Sequence, residues 1–389
     1  MRRREFIGLV TAGLAAAPAQ ALMRPSGFEP WANAAVERTG AGGGTMKAKN
    51  WLWLGPDPEL SDDDWRRRLG QLKNAGFDAI LPEVFNNSKA FWASEHLPVV
   101  APVLERLIPL AHAAGIEVHA WSHIMTCNIP DVMEAHPEWY DVSRKGESTR
   151  DKPPYVGYYR FMCPSRPGVQ QFLQTRMKEL ARIEGLDGIH LDYIRFPDVI
   201  LAEALQPKYD LVQDSEFPEY DFCYCDLCRE GFREQHGIDP LTDLEDAPAS
   251  DAWFQYRCDL ISRLVNEDLT PIGRAAGKQM TAAVFPNWRH VRQEWHKWEV
   301  DAVLPMLYNG FYNEDLQWIG EHCASGNARM QDVGVSKPLY SGLYLPDVPP
   351  EQLQQAIDVS MQAGAAGVSL FSQGSLEEGH LQVMQRYFG

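Results

Sequence analysis

Asp192 is the residue whose chemistry stands out first. It sits inside an apolar run, Gly188-Ile189-His190-Leu191-Asp192-Tyr193-Ile194-Arg195-Phe196-Pro197. Burying a carboxylate there costs several kcal/mol unless it is paired or used. An Asp192–Arg195 ion pair would fasten a loop; a place at the reactive end of a strand would make Asp192 an acid, a base or a ligand for substrate. Three more carboxyls could work with it. Glu83 lies in Leu81-Pro82-Glu83-Val84-Phe85, and Glu219 in Glu216-Phe217-Pro218-Glu219-Tyr220. Glu294 lies among Trp288, Trp295 and Trp298, surroundings that would raise its pKa. Taken singly, each would serve equally as a surface acid or a loop brace.

The second constellation is Cys223-Tyr224-Cys225-Asp226-Leu227-Cys228. Three thiols within so short a span can face one point, and C-x-C-x2-C suits a tetrahedral thiolate metal site. The fourth ligand would be Cys258, Cys163, Cys127 or His236. Such a cluster fills its coordination sphere, so a Zn2+ there would be structural. A disulfide with leftover free thiols is the alternative in an oxidising compartment.

The elements that must position these groups alternate. Apolar strand-like runs fall at residues 50–54, 77–85, 116–122, 186–196, 280–285, 300–308, 339–345 and 367–371. Helix signals fall between them. Ser61 precedes an amphipathic stretch with Trp65, Leu69 and Leu72, Pro167 opens another, and Ser375-x-x-Glu378 reads as a capping box for the last. Eight βα units predict a parallel (β/α)8 TIM barrel, with long insertions after strands three and four, at 123–166 and 197–251. No Gly-x-Gly-x-x-Gly follows a strand, which argues against a dinucleotide fold.

In a barrel the chemistry lies at the carboxyl ends of the strands. Those ends carry Glu83, then His119, Trp121 and His123, then His190, Asp192 and Arg195, then Tyr308, Asn309, Tyr344 and Gln373. The ring suits a polyhydroxylated ligand, with Trp121 and Trp288 placed to stack on it. His119, His123 and His190 near Asp192 could instead hold a catalytic metal, as in a metal-dependent hydrolase or deacetylase. The first strand, however, lacks a His-x-His pair.

Composition narrows the classes. Of 389 residues, 53 are acidic and 36 basic, a net charge of −17, which repels phosphate backbones and excludes a nucleic-acid role. It also favours a neutral or cationic ligand over a strongly anionic one. Residues 1–21 read as a signal peptide: Arg2 to Arg4, a short apolar stretch, then Ala19-Gln20-Ala21. Arg3-Arg4-Glu5-Phe6-Ile7-Gly8 has twin-arginine form, which predicts a periplasmic or secreted protein. No cysteine follows the cleavage signal, so no lipid or membrane anchor is expected. Residues 22–47 read as a flexible lead-in and 48–389 as the barrel.

The run LDGIHLDYIRFP, together with Ala135-His136-Pro137-Glu138-Trp139, Pro164-x-x-Pro167 and Glu117-Val118-His119-Ala120-Trp121, resembles the glycosyl hydrolase-like family 10 proteins over roughly residues 48–389. The resemblance implies a secreted TIM-barrel glycoside hydrolase with Asp192 in the catalytic centre. The chain departs from the family pattern in two places. Trp121 is followed by Ser122-His123-Ile124 rather than an Asn-Pro pair, and Asp192 by Tyr193 rather than a second acid. The run CYCDLCREGF resembles the zinc-bearing loop of family 42 β-galactosidases, which also follows strand four. The expectation is therefore an exported glycosidase acting on a poly- or oligosaccharide without an organic cofactor. A carbohydrate-binding barrel that lost its chemistry is the alternative.

Overall fold

The eight apolar runs become eight parallel strands in a computed structural model that describes residues 48–389. They are β1 (Trp51–Leu54), β2 (Ala79–Phe85), β3 (Glu117–His123), β4 (Gly188–Asp192), β5 (Gln279–Val284), β6 (Ala302–Pro305), β7 (Ser341–Tyr344) and β8 (Val368–Phe371). The order β6-β5-β4-β3-β2-β1-β8-β7 wraps round. Bridges Val303↔Leu339 and Met306↔Gly342 join its two edges, so the expected (β/α)8 barrel closes. The leader and lead-in expected over residues 1–47 lie outside the described residues.

Helices follow most strands. Ser61 caps Asp62–Asn74 by accepting the Asp64 amide (3.2 Å), and Pro167 occupies the first turn of Pro167–Ala181, where its missing N–H costs nothing. The last helix, Glu378–Phe388, starts two residues later than the predicted box places it. Glu377 is its N-cap, and its box partner is His380 rather than the Ser375–Glu378 pair. No helix among the described residues is long and apolar enough to cross a membrane.

Two apolar layers hold this together. The larger lies between strands and helices. The smaller fills the barrel itself: Trp51, Trp53, Leu81, Trp121, Leu304 and Tyr340. Residues alternate along a strand, so 119, 121 and 123 on β3 all face inward at successive heights. His119 takes the lowest level opposite Gly188, its register partner. A Cβ at Gly188 would stand 2.1 Å from His119 Nδ1, so only glycine leaves room for the ring. Trp51 packs edge-on to His119, and Trp53 edge-on to His190, with centroids 4.7 Å apart in both pairs.

β4 stops at Asp192, four residues earlier than the apolar pattern suggests. Tyr193 takes a left-handed conformation (φ +52°), and the Asp192 carboxylate accepts the Tyr193 amide (2.7 Å). Its own side chain thus draws that amide out of the ladder, at a backbone cost of about 1–2 kcal/mol.

His119 and His190 are fully buried, and burial pushes both below the usual imidazole value. The unfolded chain therefore binds protons more readily than the native barrel. Stability is complete above the unfolded value of about 6.5 and falls as pH drops below it, by up to about 1.4 kcal/mol per histidine per pH unit. Urea unfolding between pH 7 and pH 5 should show the midpoint falling, and His190→Gln should make it fall less steeply. A pH-independent midpoint would contradict this.

Candidate active site and metal centre

Parallel register brings the candidate groups together. On β2, Glu83 pairs with Trp121 of β3, and His123 of β3 pairs with Asp192 of β4. Three neighbouring strand ends thus present Glu83, His123 and Asp192 in a row. They open into a cavity of about 690 Å³ at the carboxyl face.

Asp192 is only 7% exposed. Its Oδ2 accepts the Trp121 indole N–H (2.9 Å), and its Oδ1 the Tyr193 amide. Burial raises its pKa; His123, these two hydrogen bonds and Arg195 offset only part of that. A carboxyl tuned upward is suited to carry a proton to a leaving group. Arg195 does not pair with it. Its Nη1 donates to Asp198 Oδ2 and to the Phe196 carbonyl, both at 2.9 Å, while its guanidinium sits 4.6 Å from the Phe285 ring centre. The loop-fastening pair is thus Arg195–Asp198, leaving the Asp192 carboxyl to the cavity.

Of the residues singled out from the sequence, Asp192, Glu83, Trp121, His123, Arg195, Tyr308 and Tyr344 line this cavity. The others do not. His119 contacts Glu117 (2.9 Å) and His190 contacts Thr281 Oγ1 (2.8 Å), both below it in the barrel. Glu294 is tied to Lys297 Nζ and Gln255 Nε2, each at 2.8 Å, away from the cavity. Its pKa is also the reverse of the expectation. Burial raises it, but hydrogen bonds from His296, Lys297 and Gln255 outweigh that and hold it at about 2. The tryptophans around it serve packing instead, Trp288 lying against Phe254 and His296. Glu219 pairs with Lys145 (3.1 Å) at the surface. Asn309 donates to the Glu314 carbonyl (2.8 Å), and Gln373 accepts from Arg68 once its amide is turned to suit. The three histidines do not converge either. Among the described residues, the four cysteines below are the one cluster of His, Cys, Asp and Glu close enough to hold a metal.

Sequence reasoning missed the tyrosine wall. Tyr155, Tyr158, Tyr159, Tyr193 and Tyr312 line the cavity, as does Phe371. The signal was present in Tyr155-Val156-Gly157-Tyr158-Tyr159, inside an insertion on the catalytic face. Asn87, Tyr155 and Tyr193 all have positive φ (+72°, +59° and +52°), so backbone strain gathers round the cavity, as it does at functional sites.

The metal cluster gains its fourth member from the other insertion: Cys163, not Cys258, Cys127 or His236. Cys163, Cys223, Cys225 and Cys228 are buried, and their sulfurs lie within 4.8 Å of one another. Cys163 Sγ is 3.6 Å from Cys225 and 3.4 Å from Cys228. These are not disulfide distances, and all seven cysteines are free. A tetrahedron with bonds of about 2.3 Å would space its sulfurs about 3.8 Å apart, which the cluster nearly meets. The Val142 and Cys225 amides donate to Cys223 Sγ (3.3 and 3.4 Å). The four residues can hold a metal ion.

A buried ionic knot braces this loop. Asp221 receives a hydrogen bond from Arg257 and another from Tyr224 (2.6 Å), with Arg292 3.7 Å away. Burial alone would raise Asp221, but the two arginines hold it below the usual carboxylate range. Tyr155 of the first insertion stacks flat on Tyr220 of the second, centroids 4.5 Å apart. The two insertions therefore form one wall, joined by rings on the cavity side and by sulfur behind.

The closed (β/α)8 barrel thus carries at its carboxyl face a buried acid, aromatic rings and a loop that ends in a four-cysteine cluster. The chain belongs to the glycosyl hydrolase-like 10 family, whose model matches residues 53–356. Among solved structures it resembles the glycoside hydrolase domain of PgaB (BpsB) from Bordetella bronchiseptica: TM-score 0.65, 14% identity, covering 88% of this chain and 99% of that one. It also resembles the catalytic domain of a Paenibacillus polymyxa β-amylase: TM-score 0.60, 11% identity, 88% and 98% covered. Gan42B, a GH42 β-galactosidase from G. stearothermophilus, matches with TM-score 0.61 and 11% identity, over 88% of this chain and 57% of that one. Comparison with curated protein sequences gives no match.

Two outcomes follow. The fold holds Asp192 against its preference for water as an anion, so Asp192→Asn should leave the thermal midpoint at pH 7 unchanged or higher; a fall of several degrees would show that the carboxylate is structural. Cys163→Ser should lower the metal content of purified protein, measured by elemental analysis. Retention of one full equivalent of metal would remove Cys163 from the ligand set.

Proposed function

We propose that this protein hydrolyses glycosidic bonds of a poly- or oligosaccharide, outside the cytoplasm. One observation carries the reading: the cavity at the carboxyl face is lined by two carboxyls, Asp192 and Glu83, on strands flanking β3. Glycoside hydrolysis needs such a pair, one acid protonated and one ionised. Asp192, raised by burial, serves as the acid. Glu83 takes a proton from the attacking water. Trp121 and the tyrosines supply flat faces for sugar rings, and Arg195 stays in its pair with Asp198 to hold the rim. The acidic chain favours a neutral or cationic glycan.

The four cysteines suit Zn2+ as a structural ion clamping the two insertions. Cys163 supplies one thiolate from the first; Cys223, Cys225 and Cys228 supply three from the second. The twin-arginine form of residues 3–8 supports export after folding, which would allow metal to load while the thiols are reduced.

A panel of 4-nitrophenyl glycosides and polysaccharides, scored by nitrophenol or reducing-sugar release, tests this. Wild type should cleave at least one. Asp192→Asn and Glu83→Gln should each lower turnover by more than about a thousandfold without unfolding the protein. Glycan binding with no cleavage by wild type would make the barrel a lectin-like binder. Cleavage abolished by a chelator, with a second bound metal, would replace the carboxylate chemistry.

A further inference from the structure

A second cavity, of about 490 Å³, shares no lining residue with the one at the carboxyl face. Its sides are acidic. Glu230 and Glu234 stand one turn apart on the helix Asp226–His236, and Glu267 and Asp268 lie on the π-helical turn Leu264–Leu269. Against these four carboxylates the lining holds one cation, Arg263. Among the described residues none of the five is ion-paired. Like charges four apart on a helix repel. Burial raises the pKa of Asp268, and the charge of Glu267 adds to that, with a hydrogen bond from Gln174 (2.9 Å) opposing both.

The floor adds an independent observation. Tyr256 is only 5% exposed, yet its hydroxyl lines the cavity without a hydrogen-bond partner among the described residues. A Cβ at Gly231 would stand 2.3 Å from that oxygen, so glycine leaves it open. The Tyr256 ring itself is taken up in packing. Trp253 lies nearly parallel to it, centroids 5.6 Å apart, and Phe232 meets it edge-on at 5.5 Å. Leu227, Leu260 and Leu264 supply the apolar part of the lining.

We propose that this cavity is a binding site for a linear polyamine. A single metal ion does not fit, because these acids do not come close enough together to ligate one. A sugar ring finds no aromatic face to stack on, since the one aromatic side chain in the lining presents its hydroxyl. An aliphatic polyamine matches each feature. Its ammonium groups reach the carboxylates on the two sides, its methylenes cover the leucines, and one of its N–H groups donates to the Tyr256 oxygen. The site is independent of the chemistry at the carboxyl face.

Calorimetric titration of spermidine into the purified full chain tests this, at pH 7 and 0.15 M NaCl, where distant surface charges are screened. Wild type should bind one equivalent. Glu230→Gln combined with Glu267→Gln should weaken binding more than about tenfold. Glu245→Gln combined with Asp246→Asn removes the same charge from an exposed loop outside the cavity and should change the affinity less than about twofold. Tyr256→Phe keeps the net charge and should weaken binding about threefold to tenfold, the net worth of one hydrogen bond. No binding by wild type overturns the proposal, as does an equal loss in the two double variants or an unchanged affinity in Tyr256→Phe. Binding of oligolysine without binding of spermidine overturns it in favour of a basic peptide.

Discussion

The hydrogen bond from the Trp121 indole to Asp192 depends on nearly everything beneath it. Trp121 keeps its orientation because Trp53 meets it edge-on at 4.8 Å. Trp53 is fixed in turn by donating its indole N–H to Ser369 on β8 (2.5 Å) and by packing on His190. A carboxyl at the barrel mouth is therefore aimed by a column of large side chains rooted in its floor. Such a column tolerates little change, since protein interiors are packed as tightly as crystals. It also gives the acid a low-dielectric setting, which a loop alone could not maintain.

The rim is built on a different principle. Its two long insertions add Met125, Tyr140, Phe161, Phe222 and Phe232 to the core and are tied together by discrete fastenings: the four clustered cysteines, the Asp221–Arg257 pair and the Tyr155–Tyr220 stack. Removing one member of a buried ion pair strands its partner and costs about 3–5 kcal/mol. Rigid strands thus supply aimed carboxyls, while fastened loops supply shape, the division expected where binding variety is grafted onto a fixed scaffold.

Much of this was legible in the chain, for identifiable reasons. The eight strands announced themselves because buried parallel strands are continuous apolar runs. Asp192 was legible because a charge inside such a run demands explanation. Glu83 read as one acid among several, since only register shows that it lies beside His123. Glu294 misled because tryptophans near in sequence point into the helix layer, leaving its carboxylate to Lys297 and Gln255. His119 and His190 misled because alternation places a residue on the inner face without giving its height. Cys163 could not be separated from Cys127 or Cys258, because long insertions carry no periodicity to fold them on paper.

The pairing of β1 with β8 bears on how the molecule is made. Trp53 and Ser369 are 316 residues apart, and the amide of Val368 donates to Asn50 (3.2 Å) across a similar span. During synthesis the first strand must wait, its inner tryptophans uncovered, until the last strand leaves the ribosome. The column beneath Asp192 is thus finished by the final pieces of the chain, so a nascent or truncated barrel lacks a correctly aimed acid however well its earlier strands have paired.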